Sequence, residues 1–199
     1  MLPPIGCRIR LVYHGCRTAR YCAGEGLDKR EAFCIMGIVN RIGQSYMERE
    51  RQLMEIYQVK ENKKDYIGLL LLADEQEDMI DRYLMRGDMF VLDDRGVQAE
   101  CVVTREAPGV YELKNIAVRP DAQRKGYGKA LVAFAFGRYP DLQTMLVGTG
   151  DVPGSLGFYH SCGFLESYRV KNFFTDNYDH AMYEDGVQLK DMVYLEKKK

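Results

Sequence analysis

The stretch with the most chemical content is Ile116-Ala-Val-Arg-Pro-Asp-Ala-Gln-Arg-Lys-Gly-Tyr-Gly-Lys-Ala-Leu131. It reads as an apolar strand, a turn containing proline, a basic glycine-rich loop and the start of a helix. Such a junction binds anions. The first-turn amides of a helix have no intrahelical acceptor, its dipole adds partial positive charge, and glycines let phosphate oxygens approach the backbone. Arg124, Lys125 and Lys129 contribute full charges. With Gln123, Gly126, Tyr127 and Gly128 they form a candidate diphosphate cradle. Two better-known phosphate loops fail on spacing. A P-loop requires glycine where Gln123 stands and Ser or Thr where Ala130 stands, and a dinucleotide fingerprint requires glycine at Leu131.

The loop resembles the acyl-CoA loop of the GNAT (Gcn5-related) N-acetyltransferase superfamily, written Gln/Arg-x-x-Gly-x-Gly/Ala. Gln123, Gly126 and Gly128 stand at its three defining positions, with Ile116-Ala-Val118 and Pro120 upstream at the usual distance. The chain is similar to small bacterial members of unassigned acceptor, over the whole order of elements from Met54 onward. This resemblance implies that amides from Gly126 to Lys129 hold the CoA pyrophosphate. It also implies that the backbone of Ile116, Ala117 and Val118 pairs with the pantetheine arm, with acetyl-CoA as cosubstrate and no metal.

Ser155-Leu-Gly-Phe-Tyr-His-Ser-Cys-Gly-Phe164 is similar to the family's A-x-x-F/L-Y-x-x-x-G-F segment. That implies that Tyr159 protonates the departing CoA thiolate, a role suited to a positioned phenol; a packed tyrosine bonded to backbone is the plainer alternative. The chain departs from the commoner pattern at Gly157, where alanine is frequent, and in Asp151-Val-Pro-Gly154, where an asparagine often begins the segment. Glu112, six residues before Val118, holds the position of the catalytic glutamate of histone acetyltransferases in the superfamily. It is a candidate general base, acting directly or through water, against a solvent-facing strand glutamate. His160 and His180 are further candidates for the base. Cys162 is read as structural, since no activated base stands beside it. The segment from Asn172 to Gly186 mixes aromatics with acids, which suits either contact with a cationic acceptor or packing beneath a long loop.

The elements that must position these groups follow from periodicity. Met54 to Val59 alternates as a short strand, and two helices are expected next. One is buried, from Asp65 to Ala73; the other, from Glu75 to Met85, carries Met79, Ile80, Tyr83 and Leu84 on one face and stops at Gly87. Strands at Met89–Leu92 and Gln98–Thr104 flank the turn Asp93-Asp-Arg-Gly96, and a longer strand runs from Gly109 to Val118. A helix from Gly128 to Tyr139, a strand from Leu142 to Val147, a short helix around Leu156 to Ser161, and strands near Phe164–Val170 and Asp191–Leu195 complete the order β-α-α-β-β-β-α-β-α-β-β. The expected class is α/β (α+β): a mixed, mostly antiparallel sheet with helices on both faces. The acetyl-CoA cleft is expected where the strand ending at Val118 parts from the strand ending at Val147.

Residues 54–199 are assigned to this domain and residues 1–53 to an N-terminal extension. The extension reads as irregular to about Gly26 and as helical from Leu27 to about Arg51, on Phe33, Met36, Ile38, Val39 and Ile42. It is either a native appendage or the product of a start codon placed too early. Before Met54 nine basic side chains face five acidic ones; after Leu53 nineteen face twenty-four, a balance that mildly favours a cationic substrate.

Apolar residues at 46% and charged ones at 29% are those of a soluble globular protein, and no apolar run nears the ~20 residues of a membrane helix. With no secretory signal pattern, the six cysteines read as free thiols in a reducing cytoplasm, and their spacing matches no zinc ligand pattern. With this compartment, the family resemblance implies a cytoplasmic acyltransferase moving acetyl from acetyl-CoA to a primary amine of a small molecule or peptide by direct attack in a ternary complex. The alternative is a non-catalytic acyl-CoA sensor or partner-binding module. No membrane or nucleic-acid partner is expected, and a homodimer is compatible with the reading.

Overall fold

The computed structural model describes Met54–Lys199; the extension expected over residues 1–53 lies outside the described residues. Strand β1 (Glu55–Val59) leads through a 3-10 turn (Lys63–Tyr66) into α1 (Ile67–Leu70) and α2 (Glu77–Leu84). Then come β2 (Asp88–Asp93), β3 (Val97–Ala107), β4 (Val110–Val118), a 3-10 turn (Pro120–Ala122), α3 (Tyr127–Arg138) and β5 (Thr144–Gly150). The remainder is α4 (Pro153–Ser161), β6 (Leu165–Val170), α5 (Phe173–Asn177), the two-residue strands β7 (Tyr183–Glu184) and β8 (Val187–Gln188), and β9 (Met192–Lys198).

Seven strands form one sheet in the order β1-β2-β3-β4-β5-β9-β6. From β2 to β6 every neighbouring pair is antiparallel except β4 with β5, which is parallel. The mixed, mostly antiparallel class is thus as the sequence predicts. Helices cover both faces because strand side chains alternate. Val91 and Val102 pack on one face with Leu70, Ile80, Tyr83 and Leu84 of α1 and α2. The adjacent Phe90 points the other way and meets Phe134 of α3 edge-on, with ring centroids 5.2 Å apart. The buried residues of α2 are Met79, Ile80, Tyr83 and Leu84, the same four as the helical spacing predicts. No helix among the described residues is long and apolar enough to cross a membrane.

Two elements differ from expectation. The buried helix over Asp65–Ala73 is one α-turn following a 3-10 turn. Leu70 is fully buried there, whereas Leu72 is 52% exposed, at the mouth of a cavity. Gly68 weakens a helix already too short to propagate, and its leucines serve different neighbours. The segment between β6 and β9 folds into α5 and the β7–β8 hairpin rather than staying a loop. Phe174, Met182 and Leu189 from it bury against Val152 in a second, smaller core.

Candidate active site

Strands β4 and β5 pair only from Val110–Thr144 to Leu113–Val147. The register of β3 on β4 shifts at that point, with Val102 opposite Asn115 and Val103 opposite Leu113, so Lys114 is an extra residue. Such a bulge bends and twists its strand. Beyond it, Lys114–Val118 have no partner on the β5 side, while β5 continues to Gly150 along β9. The sheet forks there. Gly148 and Gly150 let neighbouring chain close in: a Cβ on Gly148 would lie 2.5 Å from Met192 Sδ, and one on Gly150 2.6 Å from Leu189 Cδ2.

A cavity of about 490 Å³ fills the fork, walled by the α1–α2 junction, β4, β5, α4 and the strap of residues 171–191. Glu112, Ile116 and Tyr159 line it. Glu112 is buried; its Oε2 pairs with Lys114 Nζ at 2.7 Å and its Oε1 accepts the Tyr194 hydroxyl at 3.2 Å. It is therefore no solvent-facing strand residue. Tyr159 is only 8% exposed, and its hydroxyl has no hydrogen-bond partner among the described residues. Burial, reinforced by the Glu184 and Cys162 charges, pushes the phenol above its ordinary pKa, so it keeps its proton. His160 and His180 are exposed and outside the cavity lining. Burial also raises the Cys162 thiol, which weakens it as a nucleophile.

The basic loop lies beside the fork rather than in the cavity wall. Gly126 caps α3 in the left-handed region at φ 89° and makes no side-chain cap bond. The first helical bond is Ala130 N–H to Gly126 C=O at 3.0 Å, so the amides of Tyr127, Gly128 and Lys129 precede it. Nothing stands within 4 Å of a Cβ placed on Gly126. Gln123, Arg124, Lys125 and Lys129 are exposed, and none of the three cations is ion-paired among the described residues. The Gln123 side-chain amide donates to Val118 O at 3.4 Å, tying the loop back to the open edge of β4. Gly128 is buried, and a Cβ there would sit 3.1 Å from Phe158 of α4. Close packing of the two helices thus brings the loop beside the turn that carries Tyr159.

A bulged strand with an unpaired edge thus stands next to a bare, cationic helix N-terminus. The sequence pattern of the acetyltransferase (GNAT) domain matches residues 85–166. The chain is 35% identical over 151 residues to a Bacillus subtilis (strain 168) protein named uncharacterized N-acetyltransferase YvbK, covering 72% of this chain and 96% of that one. It belongs to the GNAT acetyltransferase family. Among solved GNAT structures, an Elizabethkingia anophelis acetyltransferase with acetyl-CoA bound superposes with a TM-score of 0.70 at 29% identity, over 73% of this chain and 98% of that one. A Bacillus subtilis acetyltransferase in complex with CoA gives 0.67 at 33% identity, over 73% and 99%. An enzyme named IAA acetyltransferase, from Bacillus cereus, gives 0.69 at 32% identity, also over 73% and 99%.

This GNAT fold also brings in groups that the sequence did not single out. Asp74, at the α1–α2 junction, accepts the Tyr178 hydroxyl at 3.0 Å and the Tyr83 hydroxyl at 3.4 Å. Tyr83 in turn accepts Asn115 Nδ2 at 2.9 Å. Burial pushes the Asp74 carboxyl up, opposed by the bonds from Tyr178 and the Gln76 amide. Glu184, on the β7–β8 hairpin, accepts the Ser155 hydroxyl. The acid-and-aromatic composition of residues 172–186 was the signal for Tyr178 and Glu184. Asp74 carried none.

Proposed function

We propose that residues 54–199 form a transferase domain that moves the acetyl group of acetyl-CoA to a primary amine by direct attack in a ternary complex. The carrying observation is the fork: pairing of β4 with β5 stops after Leu113 and Val147, leaving an open strand edge between the cavity and the bare amides of α3. A pantetheine arm can lie along Ile116, Ala117 and Val118 as an added strand. The pyrophosphate then meets the amides of Gly126 to Lys129, with Arg124, Lys125 and Lys129 supplying charge and Gln123 and Tyr127 shaping the loop.

In this reading Glu112 takes a proton from the acceptor ammonium, directly or through water, and the neutral nitrogen attacks the thioester carbonyl. Lys114 and Tyr194 hold both oxygens of Glu112, which fixes its position in the cavity wall. A backbone amide of the Ile116–Val118 stretch stabilises the oxyanion. As the carbon–sulfur bond breaks, Tyr159 gives its proton to the thiolate and recovers one from the nitrogen that has become an amide. Burial disfavours a standing tyrosinate, so the two transfers are coupled. No covalent enzyme intermediate is needed.

Titration calorimetry with CoA and release of free thiol from acetyl-CoA over a panel of amines test the reading. Uptake of CoA with thiol release supports it. Uptake without release from any amine leaves an acyl-CoA sensor, and no uptake removes the reading altogether.

A further inference from the structure

We propose that the acceptor is a linear diamine or polyamine, with a distal ammonium seated against Asp74 while its terminal amine reaches the fork. This rests on the acetyl-transfer reading above. It starts from the charges that line the cavity. Lys114 is matched by Glu112 at 2.7 Å, Arg86 by Glu106 at 2.8 Å, and Glu75 by His180 at 3.6 Å. Asp74 and Glu184 face the same cavity without a cation among the described residues: phenols, a hydroxyl and a backbone amide are their donors. Arg82 is the one lining cation without a carboxylate partner among the described residues, and it is exposed.

A second observation comes from Tyr159. The residue is only 8% exposed, its hydroxyl has no hydrogen-bond partner among the described residues, and it is part of the same lining. The cavity therefore has a bare donor at the reacting end and two carboxylates awaiting positive charge. Glu184 accepts the hydroxyl of Ser155, one turn before Tyr159 on α4, which puts that carboxylate on the Tyr159 side of the cavity, beside the incoming ammonium. Asp74 belongs to a different wall of that cavity, at the α1–α2 junction. It is held there by a chain of hydrogen bonds, Asn115 to Tyr83 to Asp74, with Tyr178 closing from the strap. Its carboxyl is pushed up by burial because no cation offsets the desolvation, and a ligand ammonium would supply that charge. Met79, Phe173, Phe174 and Met182 line the same cavity and give apolar walls for methylene groups, and the surrounding rings favour cations.

Steady-state thiol release by the full chain at saturating acetyl-CoA provides the test, with putrescine and spermidine compared against butylamine. The diamine is expected to exceed butylamine in kcat/KM by about tenfold to a hundredfold, the worth of one charge-assisted contact. Asp74→Asn keeps the shape and loses the charge. It should raise KM for putrescine by about tenfold or more, with kcat changed little and KM for butylamine moved far less, so that the preference collapses. Asp74→Glu should restore part of it. Equal kcat/KM for diamine and monoamine in the native protein overturns the proposal, as does an equal loss for both amines in Asp74→Asn, which would make Asp74 merely structural. CoA affinity, measured on each protein, separates the failures. CoA uptake with monoamines alone acetylated, or with no amine acetylated, removes the diamine; absence of uptake removes the transferase reading with it.

Discussion

At the scale of single residues, Tyr159 and Glu100 make opposite demands on a proton. Tyr159 spends its hydroxyl on no partner among the described residues, so Tyr159→Phe removes no hydrogen bond from among them. If the phenol serves the leaving thiolate, kcat should drop about a hundredfold with CoA affinity nearly unchanged, read from initial rates and calorimetry. Normal turnover by the Phe variant would leave a packing residue. Glu100 is fully buried in β3, and no donor among the described residues reaches either oxygen in good geometry. The weak opposing pull of the Ala117 amide is outweighed by burial, which lifts the carboxyl from 4.5 to about 8. Below the ordinary value both folded and unfolded states hold the proton. Between the two values only the unfolded chain releases it, so this group makes stability fall as pH rises, with the full penalty above about 8. Glu100→Gln should therefore be nearly neutral at acid pH and stabilise by about 2 to 4 kcal/mol near pH 8, measured by urea unfolding across pH. Tyr159 was legible because a tyrosine in that segment has a known chemical use. Glu100 and Asp74 were not, since burial, and a phenol 104 positions away in the chain, create their properties.

At the scale of elements, period and turn chemistry located nearly every strand and helix, because α2, α3 and the β2–β3 hairpin are locally consistent. Short segments failed for a different reason. One α-turn at α1 and five residues at α5 have too little length for a period, and their form is set by what they pack on. The bulge at Lys114 left no mark, although it opens the fork, because it is a property of β3 and β4 together. Gly87, after α2, shows how tightly helix and sheet are fitted. A Cβ there would lie 2.6 Å from Val102 Cγ1 and 3.1 Å from Tyr83 O, and a buried β-branched side chain has little room to yield. Gly87→Ala should cost about 1 to 3 kcal/mol in thermal or urea denaturation.

The strap of residues 171–191 is fastened by weaker means. His180 bridges Asp179 and Glu75, and the Asp179 amide donates to Gln76 Oε1 at 3.3 Å. Asp179, then Glu75, raises the His180 pKa above 6.5, so its contribution is complete below that value and fades as pH climbs through the raised one. Hydrogen exchange of amides 173–182, corrected for intrinsic rate, should show protection that holds up to pH 6.5 and falls as pH climbs through the raised His180 pKa in the native protein, and not in His180→Gln.

At the scale of the whole molecule, charge is laid out in two senses. The loop before α3 is cationic, while residues 54–199 together carry nineteen basic against twenty-four acidic side chains. Anionic CoA and a cationic acceptor would thus be drawn to different parts of one surface. Added salt should weaken both, raising Kd for CoA and KM for the amine as the Debye length falls to about 8 Å near physiological ionic strength. The order of the strands has a consequence of another kind. Strand β9 is made after β6 yet lies between it and β5, so β6 cannot join the sheet until residues 192–198 have left the ribosome. A nascent chain stalled before Met192 would hold β6 and the strap as loose cargo, and a release factor or protease acting there would yield a protein whose cavity lacks the wall that Met192 and Tyr194 supply.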